Sequence, residues 1–139
     1  MKKLFGLVAA FVLITSCEKD ELSVADNFYG DWRVLYLNPA GLFKNNVYPD
    51  DSSPRITFNP DGSLLLRLSA NSCGGDYVIS DVNKLNVAMI YCTEICCDDD
   101  FSLQVANLCR QAGSFEINGQ NSLELHIKGW GIIKLERIE

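Results

Sequence analysis

Arg55-Ile56-Thr57-Phe58-Asn59-Pro60-Asp61-Gly62-Ser63-Leu64-Leu65-Leu66-Arg67-Leu68-Ser69 reads as a β-hairpin, and that reading sets the fold class. Pro60 and Gly62 stand where a tight turn wants them. In the second arm Leu64, Leu66 and Leu68 share a face opposite Leu65 and Arg67, the period of two of a half-buried strand. Neighbouring segments repeat the pattern. Asp76 to Ser80 and Leu85 to Tyr91 form a second hairpin around Asp81-Val82-Asn83-Lys84. Upstream, Trp32, Val34 and Tyr36 fall on one face, with Arg33, Leu35 and Leu37 on the other. Asn38–Gly41 and Tyr48–Pro54 are turn and loop. Downstream, Ser114 to Ile117, Leu123 to Lys128 and Gly131 to Ile138 close the chain as strands. In Leu123–Lys128, Leu123, Leu125 and Ile127 point in, while Glu124, His126 and Lys128 point out.

One segment departs from this period. Phe101, Val105, Leu108 and Ala112 are spaced as on a helix, behind the acidic run Asp98-Asp99-Asp100 and ahead of Gly113. Acids at the start suit the helix dipole and N-cap, and glycine suits the end. A helix over about residues 99–112 is therefore expected. Because one sheet layer cannot bury its face alone, the fold class is mainly β (α+β). It is read as a curled antiparallel sheet or partly open barrel packed on that helix.

The first residues read as an address. Met1-Lys2-Lys3 is a basic head, and Leu4 to Ile14 is an apolar run too short to span a bilayer. Leu13-Ile14-Thr15-Ser16-Cys17 resembles the bacterial lipobox. The resemblance implies lipidation of Cys17 and cleavage after Ser16, giving a signal peptide over 1–16, a lipidated acidic tether over 17–27 and one domain over 28–139. Losing Lys2 and Lys3 takes the formal charge from −6 to −8. Glu18-Lys19-Asp20-Glu21 resembles the acidic export tags of some Gram-negative surface lipoproteins, and equally serves as a solvated tether. The expected setting is lipid-anchored at the outer membrane, with the cell surface as the further implication of the tag.

With 12 basic and 18 acidic residues, the chain offers no basic field for a phosphodiester backbone, so nucleic acid is not an expected partner. His126, the sole histidine, lies on an outward strand position, and no Gly-x-Ser-x-Gly is present to build a hydrolytic triad. Asp98, Asp99 and Asp100 lack the alternating oxygen ligands and glycine of a calcium loop. Cys92-x-x-x-Cys96-Cys97 lacks the paired Cys-x-x-Cys of a zinc site. No catalytic, cofactor-binding or metal-binding residue is therefore expected, and the protein reads as no enzyme. Trp130, between two glycines, is read as core, with an exposed aromatic at a strand bend that contacts a ligand or partner as the alternative.

In an exported chain Cys73, Cys92, Cys96, Cys97 and Cys109 are disulfide candidates. Centring the second hairpin between Val82 and Asn83 sets Cys73 opposite Cys92. Cys73 with Cys96 or Cys97 is the competing pairing, and Cys109 could clip the helix to the loop before it.

The order of features resembles the META domain family, which includes heat-shock HslJ proteins. The resemblance rests on the tryptophan strand Gly30-Asp31-Trp32-Arg33-Val34-Leu35 and on Ile56-Thr57-Phe58 with its turn. It rests further on Asn71, Gly75 and Tyr77 within Ser69–Tyr77, and on Thr93-Glu94-Ile95-Cys96-Cys97 before the helix. The family cysteine is replaced by Ala70, with Cys73 in place of a tyrosine. The resemblance implies a fold and an envelope setting, and no reaction. The expected function is a non-enzymatic outer-membrane or surface lipoprotein, an envelope interaction or stress-tolerance module. Its partners would be the membrane through the lipid, and a protein. Gly30-x-Trp32 also resembles the first strand of lipocalins, which implies the alternative of a small apolar ligand held in a barrel. The mature chain reads as short for an eight-stranded barrel with a cavity.

Overall fold

The computed structural model describes residues 26–40, 46–47 and 52–138; Cys17 and the leader lie outside them. Nine strands form in order: β1 Gly30–Pro39, β2 Asn46–Val47, β3 Arg55–Phe58, β4 Ser63–Arg67, β5 Ser72–Ser80, β6 Lys84–Cys92, β7 Ala112–Ile117, β8 Ser122–Ile127 and β9 Gly131–Arg137. The helix Asp100–Cys109 interrupts them between β6 and β7. Each strand from β3 to β9 pairs antiparallel with the next, β1 pairs with β3, and β9 returns to β1. The sheet is thus a closed antiparallel barrel of eight strands, with β2 appended to the far end of β1. Short strands and tight turns let eight strands fit a chain of this size, and the barrel they close has a packed interior.

Alternation dictates the interior. Trp32, Val34, Ile56, Phe58, Leu64, Leu66, Tyr77, Leu85, Val87, Leu123, Leu125, Ile133 and Leu135 point inward and are buried. On β1 the pattern breaks. A bulge between Val34 and Tyr36 shifts the register against β9, so Leu37 is buried in place of Tyr36. The expected face of Trp32, Val34 and Tyr36 is corrected accordingly, since a bulge inserts one residue and reverses the faces beyond it. The second hairpin carries a compensated irregularity. Its turn is Asp81–Asn83, with Ser80 opposite Lys84, and a bulge between Asp76 and Tyr77 then sets Cys73 opposite Cys92.

The helix is shorter than its periodicity suggests. Asp99 is the N-cap and accepts from Ser102 N–H at 2.7 Å. Helical geometry ends at Arg110, because Ala112 pairs with Ile127 as the first residue of β7. Gly113 accordingly belongs to a strand rather than a helix cap. Val105, Leu108 and Cys109 turn into the core, at the barrel end where the β4–β5 turn lies. Trp130 is half-buried against this core.

At the opposite end, where β1 starts and β9 stops, a helical turn over residues 26–28 delivers Phe28 into the barrel. Its ring meets Phe58 and Phe115 at 4.4 Å each, and Tyr77 at 5.7 Å. Tyr77 donates its hydroxyl to Asn59 C=O at 2.6 Å, and burial pushes its pKa up to about 12. The Trp32 indole donates to Phe28 C=O at 2.9 Å. The Arg137 guanidinium lies 4.2 Å from the Trp32 ring and donates to the carbonyls of Asn27, Tyr29 and Gln120. Gly30 makes this possible. Its φ is +127, and a Cβ there would meet Arg137 Nη1 at 2.5 Å. At the other end of the β1–β9 seam Gly131, with φ +147, leaves room for the Asn38 carbonyl and Ala40 N–H.

Arg137→Ala removes a cation–π contact and three charge-assisted hydrogen bonds. It is expected to lower unfolding free energy by about 2–4 kcal/mol, read as a lower urea midpoint with the m-value retained. A midpoint equal to that of the parent would show that the seam closes without this clamp.

Candidate functional site

The helix end of the barrel carries the chain's longest irregular stretch among the described residues, Thr93–Asp99, and it is held by the β4–β5 turn. Asn71, buried in that turn, uses its full side-chain capacity. Its Nδ2 donates to Ile95 C=O and Asp98 Oδ2, both at 2.7 Å. Its Oδ1 accepts from Thr93 Oγ1 and Ile95 N–H, both at 2.8 Å. Asp98 answers from the other side. Its Oδ1 accepts from Ala70 N–H at 2.7 Å, Asn71 N–H at 3.0 Å and the Ser69 hydroxyl at 3.2 Å. Burial acts to raise the Asp98 pKa, but these donors outweigh it and hold the carboxyl below its ordinary value. The acidic run therefore divides its work: Asp98 fastens the turn, while Asp99 caps the helix and Asp100 lies in its first turn.

The cysteines sit around this rim. Cys73 and Cys92, Cα partners on β5 and β6, are bonded. Cys96 and Cys97 bring their sulfurs together in the exposed stretch, with Cys97 at φ +100. Cys73 thus meets neither Cys96 nor Cys97, and Cys109 clips nothing. Its helical position turns it into the core with Val105 and Leu108, away from the exposed loop. Burial pushes the Cys109 thiol up to about 12, against a smaller downward pull from Arg110. Tyr91, Ile95 and Leu103 are exposed on the same rim.

A second grouping lies on the outer wall. The β7–β8 register sets Glu116 opposite Glu124 and Ser114 opposite His126. Ligand atoms of Glu116, Glu124 and His126 come within 4.8 Å of one another. Lys134, opposite Glu124 on β9, already binds it at 2.6 Å, and His126 Nε2 lies 3.9 Å from Glu116. The trio is a cross-strand charge ladder whose Glu124 position is neutralised by an ammonium. Sequence reading places His126 outward, but the grouping appears only once the β7–β8 register is known.

No family model matches the sequence, and no curated protein matches it significantly. Two solved structures share the fold. An NMR structure of a protein from Burkholderia xenovorans is 11% identical with TM-score 0.64, covering 99% of this chain and 97% of that one. A crystal structure of a DUF4847 family protein from Bacteroides vulgatus is 15% identical with TM-score 0.59, covering 78% and 92%. At these identities the likeness concerns the fold.

Two outcomes follow for the rim. Asp98→Asn turns an amide donor toward the Asn71 donors and is expected to reduce stability at neutral pH. Because the native carboxyl titrates below its unfolded value, its stabilisation is fully present above about pH 4 and is lost as pH falls through the native pKa. The variant should therefore lose less stability than the parent between pH 5 and pH 2, as measured by urea titration; parallel pH curves would remove Asp98 from the clamp. For the cysteines, iodoacetamide at neutral pH should leave Cys109 unmodified in the folded protein and alkylate it in urea, since the buried thiol holds its proton. Labelling of Cys109 in the native state by peptide mass spectrometry would contradict its burial.

Proposed function

We propose that the chain is a non-enzymatic lipoprotein of the outer membrane, anchored through Cys17, that serves as an envelope interaction or stress-tolerance module and acts through its rim and outer wall. The observation that carries this reading is the filled interior. Phe28, Trp32, Leu37, Ile56, Phe58, Leu66, Val105, Cys109, Leu123, Leu125, Ile133 and Leu135 are 0% exposed. A side chain facing an internal void wide enough for water would still present surface to it, so the lumen around these residues is packed. A barrel that carries an apolar ligand needs the opposite, a roomy apolar cavity. The aromatic plug around Phe28 at one end and the helix at the other support the same reading.

The anchor follows from the lipobox resemblance. Two or three acyl chains, at about 0.8 kcal/mol per buried methylene, hold a protein to a membrane without a spanning helix. Among the described residues no helix is long and apolar enough to cross one. The acidic tether supports display at the cell surface, and the META-like motif order supports the envelope setting.

Labelling cells with an alkyne palmitate and fractionating their membranes tests the anchor. The parent should carry label in the outer-membrane fraction, and Cys17→Ser should carry none. Native mass spectrometry of the same preparation, released gently from detergent, should give the lipoprotein mass with no further adduct. A stoichiometric apolar adduct lost on denaturation would replace this reading with the lipocalin-like one.

A further inference from the structure

Three of the chain's five arginines fall in one cross-strand row. Arg33 on β1 is the Cα partner of Arg55 on β3, and Arg55 is the partner of Arg67 on β4. All three point away from the packed interior. Arg33 is answered by Glu136 at 2.6 Å. Arg55 and Arg67 are exposed, and neither makes an ion pair or side-chain hydrogen bond among the described residues. The remaining arginines behave differently, because Arg137 and Arg110 both donate to backbone carbonyls. Like charges directly opposite on neighbouring strands are destabilising. A chain with six more acids than bases nonetheless leaves these two side by side and, among the described residues, unanswered.

The pair also borders a cleft. Ser52, Ser53, Arg55, Arg67 and Leu68 line about 190 Å³ of open space beside β3 and β4. At about 30 Å³ per water this has room for a phosphate group and some of its hydration. Ser53 donates its hydroxyl to Val34 C=O, which fixes the wall of the cleft and leaves the two guanidinium groups as its charged donors among the described residues. Two planar forks on adjacent strands suit a tetrahedral oxyanion, since each can give parallel N–H donors to two of its oxygens.

We propose that Arg55 and Arg67 form a binding site for a phosphate group, with the group bridging the two guanidiniums in the cleft beside β3 and β4. The bound anion would remove the like-charge repulsion that the empty site carries. The inference rests on strand register and cleft geometry and does not depend on the lipid anchor.

The test uses the full-length lipidated protein in dodecyl maltoside micelles, observed through the arginine Nε–Hε NMR signals. Inorganic phosphate is titrated in one series, and phosphatidic acid is added to the micelles in another. Saturable shifts of the Arg55 and Arg67 signals are expected. Arg55→Gln and Arg67→Gln should each weaken binding about tenfold or more. Lys128→Gln, which removes the same charge from an exposed site outside the row, should weaken it less than about twofold. Saturation by inorganic phosphate would identify a free phosphate or soluble phosphoester as the source, and saturation by phosphatidic acid alone a lipid headgroup. Either result supports the site. Without phosphate, Arg67→Gln should raise Tm by about 1–4 °C as the repulsion is relieved. Absence of saturable binding in both series, or equal weakening by Lys128→Gln, would overturn the proposal. So would a loss of stability in Asp50→Asn/Asp51→Asn alongside a parent that binds no phosphate, because the arginines would then serve the chain's own carboxylates.

Discussion

The barrel depends on the contact of Arg137 with Trp32. A meander of antiparallel strands has two free edges until its first and last strands pair, and an unpaired edge is both unstable and sticky. Here the first and last strands meet along most of their length, from Trp32 opposite Arg137 to Pro39 opposite Gly131. The guanidinium locks the lower end of that seam. It lies over the indole while its N–H groups reach the carbonyls of Asn27, Tyr29 and Gln120. One side chain from the last strand thus ties together the first strand, the turn before it and the β7–β8 turn. The Phe28 plug is tied to the same contact, since the carbonyls it holds flank Phe28, whose own carbonyl is held by Trp32.

The other end is held by polar means. Asn71 and Asp98 together organise a stretch that contributes few buried apolar side chains, and each hydrogen-bonding position of the Asn71 amide is filled. A buried amide in that state adds specificity, because any alternative path for Thr93–Asp99 would leave donors or acceptors unpaired. The Cys73–Cys92 bond anchors the strands on which this rim is built. The two ends therefore differ in character. One is an aromatic plug clamped by a cation, and the other is a polar clasp under a helix with exposed Tyr91, Ile95 and Leu103 around it.

With the interior filled, chemistry is left to the wall. There the acidic surplus is unevenly placed: carboxylates cluster across β7 and β8, whereas arginines line up across β1, β3 and β4. Neither arrangement is visible as a motif, because its cross-strand neighbours are 8–22 residues apart in sequence. Strand register alone makes them neighbours.

Alternation of apolar residues and the turn chemistry of Asn59–Gly62 are local properties, so the sequence by itself determined a mainly β fold, one helix and most inward-facing residues. The facing of Cys73 and Cys92 was also legible, although a three-residue turn and a bulge had to offset each other for the simple register to hold at that end. Other features were decided by tertiary structure. Bulges moved Leu37 inward in place of Tyr36, pairing with Ile127 took Ala112 from the helix into β7, and the β1–β9 seam turned a curled sheet into a closed barrel. Closure, register and lateral neighbours depend on contacts between residues up to about a hundred positions apart. Periodicity reports only which face a residue prefers, and the energy that selects its partner across the sheet exists only once the strands have met.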